Sequence, residues 1–371
     1  MKRIAFASHV TSINGKEYDG IGNVVIETLS SLTDEFIFVR HSMDGLLPSE
    51  VQTHHKAKNI SKVQLHVLSR VAPLRYLTEI LKTVYYFTFK AKVDVYVGID
   101  PLNALAGILL KKLKRVDTVV FYTADYSLHR FKNTIMNTIY HRIDAYCVKH
   151  ASEVWSVSSK IVAIRKEMGL SDNRNIFVPN VPPIEFDGLR RNKHDVHTLI
   201  MYGIVDTQLD FEGAIRAVAH LASTIPGIRL TIVGNGPEEA RLKKLARELK
   251  VSEHIIFMGR QTLAKTLDAA SRSGIGLALY TGVWSFNEYG DSTKCREYFN
   301  YGLPVISTDS HSTVDEIKQY EAGIIVEKSV DAYVSAITSI LAQYDDFSRH
   351  SLKLGEKYQG IHQKVFRRIL S

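Results

Sequence analysis

The sequence predicts an α/β protein built from two doubly wound, Rossmann-like domains in tandem, and three observations carry that prediction. Short apolar runs without polar alternation recur along the chain, separated by amphipathic stretches of helical period, as expected of parallel strands covered by helices on both faces. The alternation stops at a breaker-rich stretch, Pro182-Pro183 to Asp187-Gly188, followed by the charged run 190–195, and then restarts. A length of 371 residues is long for one core and comfortable for two.

In the first half the strand-like runs are Ile4–Val10, Phe36–His41, Val93–Ile99, Thr118–Tyr122, Glu153–Val157 and Ile176–Pro179. Helical periodicity falls between them, at Ile21–Leu32, Leu74–Lys90, Pro101–Leu113, Phe131–His150 and Lys160–Met168. After the breakers come strand Leu199–Val205, helix Phe211–Ala222, strand Arg229–Val233, helix Glu238–Leu249, strand Ile255–Met258, helix Leu263–Ser271 and strand Gly276–Tyr280. A helix at Asp315–Tyr320, strand Gly323–Val326 and helix Val330–Tyr344 follow the central motif. The expected organisation is a first domain at 1–180, a linker at 181–196, a second domain at 197–345, and a helical segment at 346–371 placed to pack back on the first domain. Ligands of open parallel sheets bind outside the carboxyl ends of the strands, so a cleft between two such domains is the expected site.

The most informative stretch runs from Trp284 to Thr308. Asp291-Ser292-Thr293 can cap a helix from about Lys294 to Tyr301, Gly302 supplies a left-handed stop, Pro304 prevents continuation, and Val305-Ile306 begins a strand. A helix start at the end of a strand is an anion site, because unpaired N–H groups and the helix dipole point at the bound group; phosphate is the expected anion. Lys294 sits in that first turn, where a diphosphate would offset its opposition to the dipole. Glu297 lies one turn in on the same face, where its carboxylate can accept hydrogen bonds from two vicinal sugar hydroxyls. A solvated Lys294–Glu297 pair is the plainer alternative. No Glu or Gln stands three residues after Asp291, Ser292 or Thr293, so no capping box forms.

Composition narrows the class. With 45% apolar and 23% charged residues the chain is globular, and two cysteines, Cys147 and Cys295, leave no disulfide framework or Cys-type metal site, making a reducing compartment the default. Met1-Lys2-Arg3 leads directly into a strand, and no apolar run reaches the length of a membrane span, so a cytoplasmic or peripheral location is expected. The net charge of +8 is uneven: residues 1–180 hold 24 Lys/Arg against 16 Asp/Glu, whereas the remainder holds 23 of each. Residues 51–115 alone hold 12 basic residues against Glu79, Asp94 and Asp100, a surplus of nine. That stretch suits contact with an anionic membrane or lipid-phosphate acceptor, and is equally what a solvated helix surface shows. Nucleic acid is not expected, since no aromatic platform or binding module accompanies the charge.

Glu297 with Gly302-Leu303-Pro304-Val305-Ile306 resembles the donor-site motif of glycosyltransferase family four, the retaining glycosyl transferases group 1 of GT-B fold. In that family a second glutamate stands eight residues before the first. Here position 289 is Tyr, and Glu288 and Asp291 are the neighbouring acids. The resemblance implies ribose contact by Glu297, diphosphate contact by Ser292, Thr293 and Lys294, and sugar contact, in a catalytic position, by Glu288 or Asp291. Gly20 and Gly22 match the family's first-domain glycine loop. A third glycine of the dinucleotide fingerprint is replaced by Val25. Gly203 and Gly234 match two strand-to-helix turns on the donor side, and Arg260 follows the stretch bordering the base. Asp125, after the Thr118–Tyr122 strand, stands where a His-Asp pair is common, with Ala124 in place of the histidine; it is either an acceptor-orienting base or a helix cap. His9 is an acceptor contact or a structural histidine. The Ser residues of Trp155-Ser156-Val157-Ser158-Ser159 read as caps. The Arg and Lys that grip the diphosphate in this family are missing, and Asp206, Gln208 and Asp210 occupy their region.

The implied activity is transfer of a hexose from a UDP- or GDP-sugar to a glycan or lipid-linked acceptor with retention. With no Asp-x-Asp clamp, no metal or other cofactor is expected, the nucleotide sugar being a substrate. A catalytically silent nucleotide-binding partner and a nucleotide-sugar epimerase of the same architecture are the other classes.

Overall fold

The computed structural model describes residues 2–13, 16–18, 20–67, 71–182, 195–282 and 288–371. Asp19, Trp284 and linker residues 183–194 lie outside them. The chain divides into two units, residues 1–179 with 360–371, and residues 180–359. The expected C-terminal segment is therefore split, its first part belonging to the second unit and its last helix to the first.

The first unit runs β1 (Ile4–Ile13), β2 (Lys16–Tyr18), α1 (Gly20–Leu32), β3 (Glu35–Ser42), β4 (Ser49–His55), β5 (Lys58–Leu65), α2 (Ala72–Phe89), β6 (Val95–Ile99), α3 (Pro101–Lys112), β7 (Thr118–Thr123), α4 (Thr134–His150), β8 (Glu153–Ser156), α5 (Ser159–Glu167) and β9 (Asn175–Phe177). The sheet order is β5-β4-β3-β1-β6-β7-β8-β9. From β3 to β9 neighbouring strands are parallel, as expected. Strand β4 pairs antiparallel with β3 and β5 antiparallel with β4, and β2 folds back on the end of β1. Neither was expected, because SEVQTHH and KNISKVQL lack the apolar runs by which buried strands are recognised, and all of β5 up to Gln64 is exposed. Lys58 and Lys62 on this edge oppose pairing with another chain. The long first loop is thus largely strand: β1 continues to Ile13 and returns through β2.

Helix α2 departs further from expectation. A helix covering a sheet buries its apolar stripe as a rule, yet the buried face of α2 is Arg75, Glu79, Thr83 and Phe87. Each of those polar side chains has a partner: Arg75 donates to the Met43 carbonyl at 2.8 Å, Glu79 meets the Ser49 hydroxyl at 3.2 Å, and Thr83 meets His41 Nε2 at 3.1 Å. The last helix, Ile361–Leu370, completes this unit by setting Phe366 edge-on to Trp155 at 5.0 Å and His362 Nε2 at 3.1 Å from the Tyr122 hydroxyl.

The second unit runs β10 (Asp195–Tyr202), α6 (Phe211–Leu221), β11 (Arg229–Val233), α7 (Glu239–Glu248), β12 (Ile255–Gly259), α8 (Leu263–Arg272), β13 (Ser273–Ala278), α9 (Thr293–Asn300), β14 (Val305–Thr308), α10 (Val314–Tyr320), β15 (Gly323–Val326), α11 (Val330–Ala342) and α12 (Tyr344–Lys357), and the last helix of the chain is α13 (Ile361–Leu370). Its sheet, β12-β11-β10-β13-β14-β15, is parallel between every pair of neighbours. One face packs Met201, Ile232 and Leu277 against Phe211 and Tyr333; the other packs Ile200 and Ala278 against Tyr298, Phe299 and Leu354. Both sides of each strand are therefore removed from water, which is why these strands read as continuous apolar runs. Among the described residues no helix is long and apolar enough to cross a membrane.

Candidate functional site

In the second unit the strand order places the third, second and first strands to one side and the fourth, fifth and sixth to the other. The order reverses between β10 and β13, and that crevice at the carboxyl ends is where such sheets bind nucleotides. Three glycines line the carboxyl edge there. Gly203, Gly234 and Gly259 follow or end β10, β11 and β12 with φ of 148°, 138° and 64°. The Gly203 N–H donates to Val233 O at 3.0 Å, and the Gly234 N–H to Gly259 O at 2.8 Å. A Cβ on Gly234 would lie 1.8 Å from Gly203 O, so the turns meet backbone to backbone.

Helix α9 starts at this edge. Ser292 is its N-cap, accepting from the Cys295 N–H at 3.3 Å, and its hydroxyl is 2.9 Å from that of Tyr280. Thr293 is exposed and Lys294 half-buried. The Lys294 ammonium lies 5.5 Å from the Tyr280 ring centroid, and a Cβ on Gly203 would come within 3.3 Å of its Cε. Lys294 is thus held over the β10 turn, on the side where the missing Arg and Lys were expected. Glu297 is buried and accepts a hydrogen bond from Tyr202 at the end of β10. Burial raises its carboxyl to about 7, against the lowering effects of that hydrogen bond and of Lys294. A solvated Lys–Glu pair is therefore not what forms.

Asp291 has a different task from the one expected. Its carboxylate accepts from Arg296 Nη2 at 2.8 Å, the Thr313 hydroxyl at 2.8 Å and the Asn180 N–H at 2.7 Å, all in a buried setting. Arg296 also pairs with Glu316 of α10, so one guanidinium ties the loop before α9 to the next helix. With both oxygens occupied, Asp291 shapes the loop and is not free to face a sugar. Glu288 is exposed, leaving it as the acid near the missing position. Asp206 and Asp210, standing where cations were expected, serve local turns. Asp206 accepts from the Gln208 N–H at 2.8 Å, and Asp210 caps α6 through the Gly213 N–H at 3.0 Å while holding the Tyr333 hydroxyl at 2.9 Å. Arg260 is exposed just after Gly259.

The first unit has its own reversal of strand order, between β1 and β6. His9 on β1 and Asp100 after β6 meet there: His9 Nδ1 is 2.5 Å from Asp100 and Nε2 is 3.2 Å from Glu79 of α2. Burial opposes a charged ring, but the two carboxylates outweigh it and raise His9 to about 9. Asp100 carries φ of 81° and caps α3 through the Leu102 and Asn103 N–H groups. Sequence reading chose His9 but missed Asp100 and Glu79. Asp100-Pro101, an acid before a proline at a helix start, was a signal for the cap though not for the histidine. Asp125 is half-exposed and pairs with Arg130 at 2.7 Å. Gly20 opens α1 with open space at its Cβ position, and Gly22 is buried. Ser158 caps α5, as expected. Both cysteines are buried free thiols.

Residues 189–357 match the family described as glycosyl transferases group 1. A GDP-mannose-dependent alpha-(1-6)-phosphatidylinositol monomannoside mannosyltransferase of Mycolicibacterium smegmatis is 29% identical over 131 residues, 34% of this chain and 34% of that protein. The match thus spans about a third of the mannosyltransferase's length. The lipopolysaccharide 1,6-galactosyltransferase of Salmonella typhimurium is 23% identical over 319 residues, covering 84% of this chain and 81% of that one. Among solved structures, Anabaena HepE in complex with UDP superposes with TM-score 0.70 at 12% identity, covering 99% of each chain. The lipopolysaccharide outer core galactosyltransferase WaaB does so with TM-score 0.65 at 19% identity, again covering 99% of each. The two Rossmann-like units are those of the GT-B fold.

Proposed function

We propose that this chain, whose second unit carries a glycosyl transferases group 1 domain, transfers a hexose from a nucleotide sugar to a glycan or lipid-linked acceptor with retention of configuration. One observation carries the reading: Glu297, Lys294 and the capped start of α9 lie together at the strand-order reversal of the second sheet. A ribose would meet the Glu297 carboxylate, and a diphosphate would meet Lys294 and the first free N–H groups of α9. In the reaction the bond from the anomeric carbon to the diphosphate oxygen breaks and one to an acceptor hydroxyl oxygen forms. Charge then builds on the departing diphosphate, where those fixed donors stabilise it. We assign that task to them without a metal. Glu288 is the acid we place nearest the sugar. His9, Asp100 and Asp125 of the first unit are the acceptor-side candidates, and Gly20 and Gly22, in the first turn of α1, are further donor-binding candidates. A cytoplasmic location accompanies this reading. The similar proteins include a GDP-mannose-dependent mannosyltransferase and a galactosyltransferase, and one similar solved structure is a complex with UDP, which supports a UDP- or GDP-linked donor.

Titration calorimetry of UDP, GDP and ADP against wild type and Glu297→Ala tests the site. One nucleotide binding tightly, and lost in the variant, is the expected result; no binding at millimolar concentration overturns it. The carboxylates at 206 and 210 favour one second reading, a silent nucleotide-binding partner, which predicts binding without turnover of any donor.

A further inference from the structure

We propose that the outward face of α2 lies on the surface of an anionic lipid bilayer. The orientation of this helix is inverted relative to that of a helix on a water-facing surface. Along it, Arg75, Glu79, Thr83 and Phe87 point inward, and Leu74, Leu77, Leu81, Tyr85 and Phe89 point outward. The outward five recur at helical spacing over about 24 Å of helix, and each is 53–68% exposed. Tyr85 and Phe89 pack against each other there, at 5.2 Å between ring centroids. A continuous apolar stripe of this length on a soluble surface marks an interaction site, in contrast to scattered exposed leucines.

The charges beside the stripe say which partner covers it. Glu79 is the one acid of α2, and it faces inward. Around the stripe stand exposed Lys90 and Lys92 and the half-buried Lys82. The edge strand β5, in contact with α2, adds exposed Ile60 between Lys58 and Lys62, and exposed Val63 just after them. An apolar face rimmed by lysines, on a helix that cannot span a bilayer, is the chemistry of interfacial binding: apolar side chains enter the acyl boundary and ammonium groups stay among anionic headgroups. A protein partner matching the stripe would not require the basic rim. The helix falls within the basic stretch 51–115 and supplies the apolar anchor that charge alone lacked.

The test is cosedimentation of the full chain with vesicles of phosphatidylcholine alone and of phosphatidylcholine mixed with phosphatidylglycerol, with no nucleotide or acceptor present. Its outcome is therefore independent of the transferase reading. Wild type should pellet with the anionic vesicles and less with the neutral ones. The Leu77→Ser/Leu81→Ser/Phe89→Ser variant should lose at least about tenfold in vesicle affinity while keeping its circular dichroism and melting temperature, since the altered side chains are exposed. Lys58→Glu/Lys62→Glu should lose the preference for anionic lipid. The proposal is overturned if wild type stays in the supernatant with both vesicle types, or if the triple variant binds as wild type does. It is also overturned if sedimentation equilibrium shows a wild-type dimer that the triple variant abolishes, which would make the face an interface between copies.

Discussion

The hydroxyl of Tyr202, at the end of β10, donates to the buried carboxylate of Glu297 on α9. Two residues 95 positions apart thus form one group at the point where the strand order reverses. The bond favours the charged carboxylate, the form that can accept from sugar hydroxyls. Tyr202→Phe should therefore raise the Glu297 carboxyl further above about 7. In calorimetry at pH 7 it should weaken nucleotide affinity by about tenfold, or about 1.4 kcal/mol, with recovery as pH rises. An affinity loss that persists unchanged to pH 9 would remove the carboxylate from the account.

Glu297 also carries a cost in stability. Its ordinary value is 4.5 and its folded value about 7, so the folded protein takes up a proton between these pH values, and stability falls as pH rises through that window. Above pH 7 the deficit is complete, at roughly 3 kcal/mol. Glu297→Gln should melt higher than wild type at pH 8 and about level with it at pH 4.5. Equal melting curves at both pH values would show that burial does not strain this carboxyl.

Lys294 is the cation held over the β10 turn. Lys294→Ala should weaken a nucleoside diphosphate more than the matching nucleoside, by about tenfold to a hundredfold, the worth of a charge-assisted contact. Calorimetry of both ligands reads the difference; an equal loss would place Lys294 away from the phosphates.

Arg296 should matter for folding ahead of binding. It neutralises Asp291 and Glu316 in a buried site, so Arg296→Met takes the paired cation from Asp291 and leaves Glu316 with Lys357 at 3.9 Å. The expected loss is about 3–5 kcal/mol in denaturant unfolding of the second unit. A loss under about 1 kcal/mol would mean the network is solvated.

In the first unit, His9 has its folded value raised from 6.5 to about 9 by Asp100 and Glu79, which outweigh burial. Its contribution is complete below pH 6.5 and is lost as pH climbs through about 9. Wild type should thus lose stability between pH 7 and 10, and His9→Gln should flatten that slope in thermal melts.

The legible part of this molecule was what depends on neighbours in sequence. Ser292 as a cap, the stop at Gly302, the strand runs of the second unit and the Glu297 motif all follow from residues within a turn or two of each other. Tyr202, Asp100 and Glu79 were silent because their partners lie 95, 91 and 70 residues away, and Arg296 because Glu316, the second of its two carboxylates, lies 20 away. Helix α2 shows a deeper limit. Periodicity reveals that a helix has two faces and assigns the apolar one inward, but here the inward assignment was decided by His9, His41 and Ser49, which no local window contains. The β4–β5 hairpin escaped for the opposite reason, since an exposed edge has no need of an apolar run.

The placement of α13 in the first unit sets a rule for dissecting the protein. A fragment ending at the linker would leave Trp155 without Phe366 and the Tyr122 hydroxyl without His362. Residues 360–371, grafted onto the excised unit or supplied as a separate peptide, would restore both contacts. That dependence is the working principle of a split reporter, with α13 as its removable small fragment.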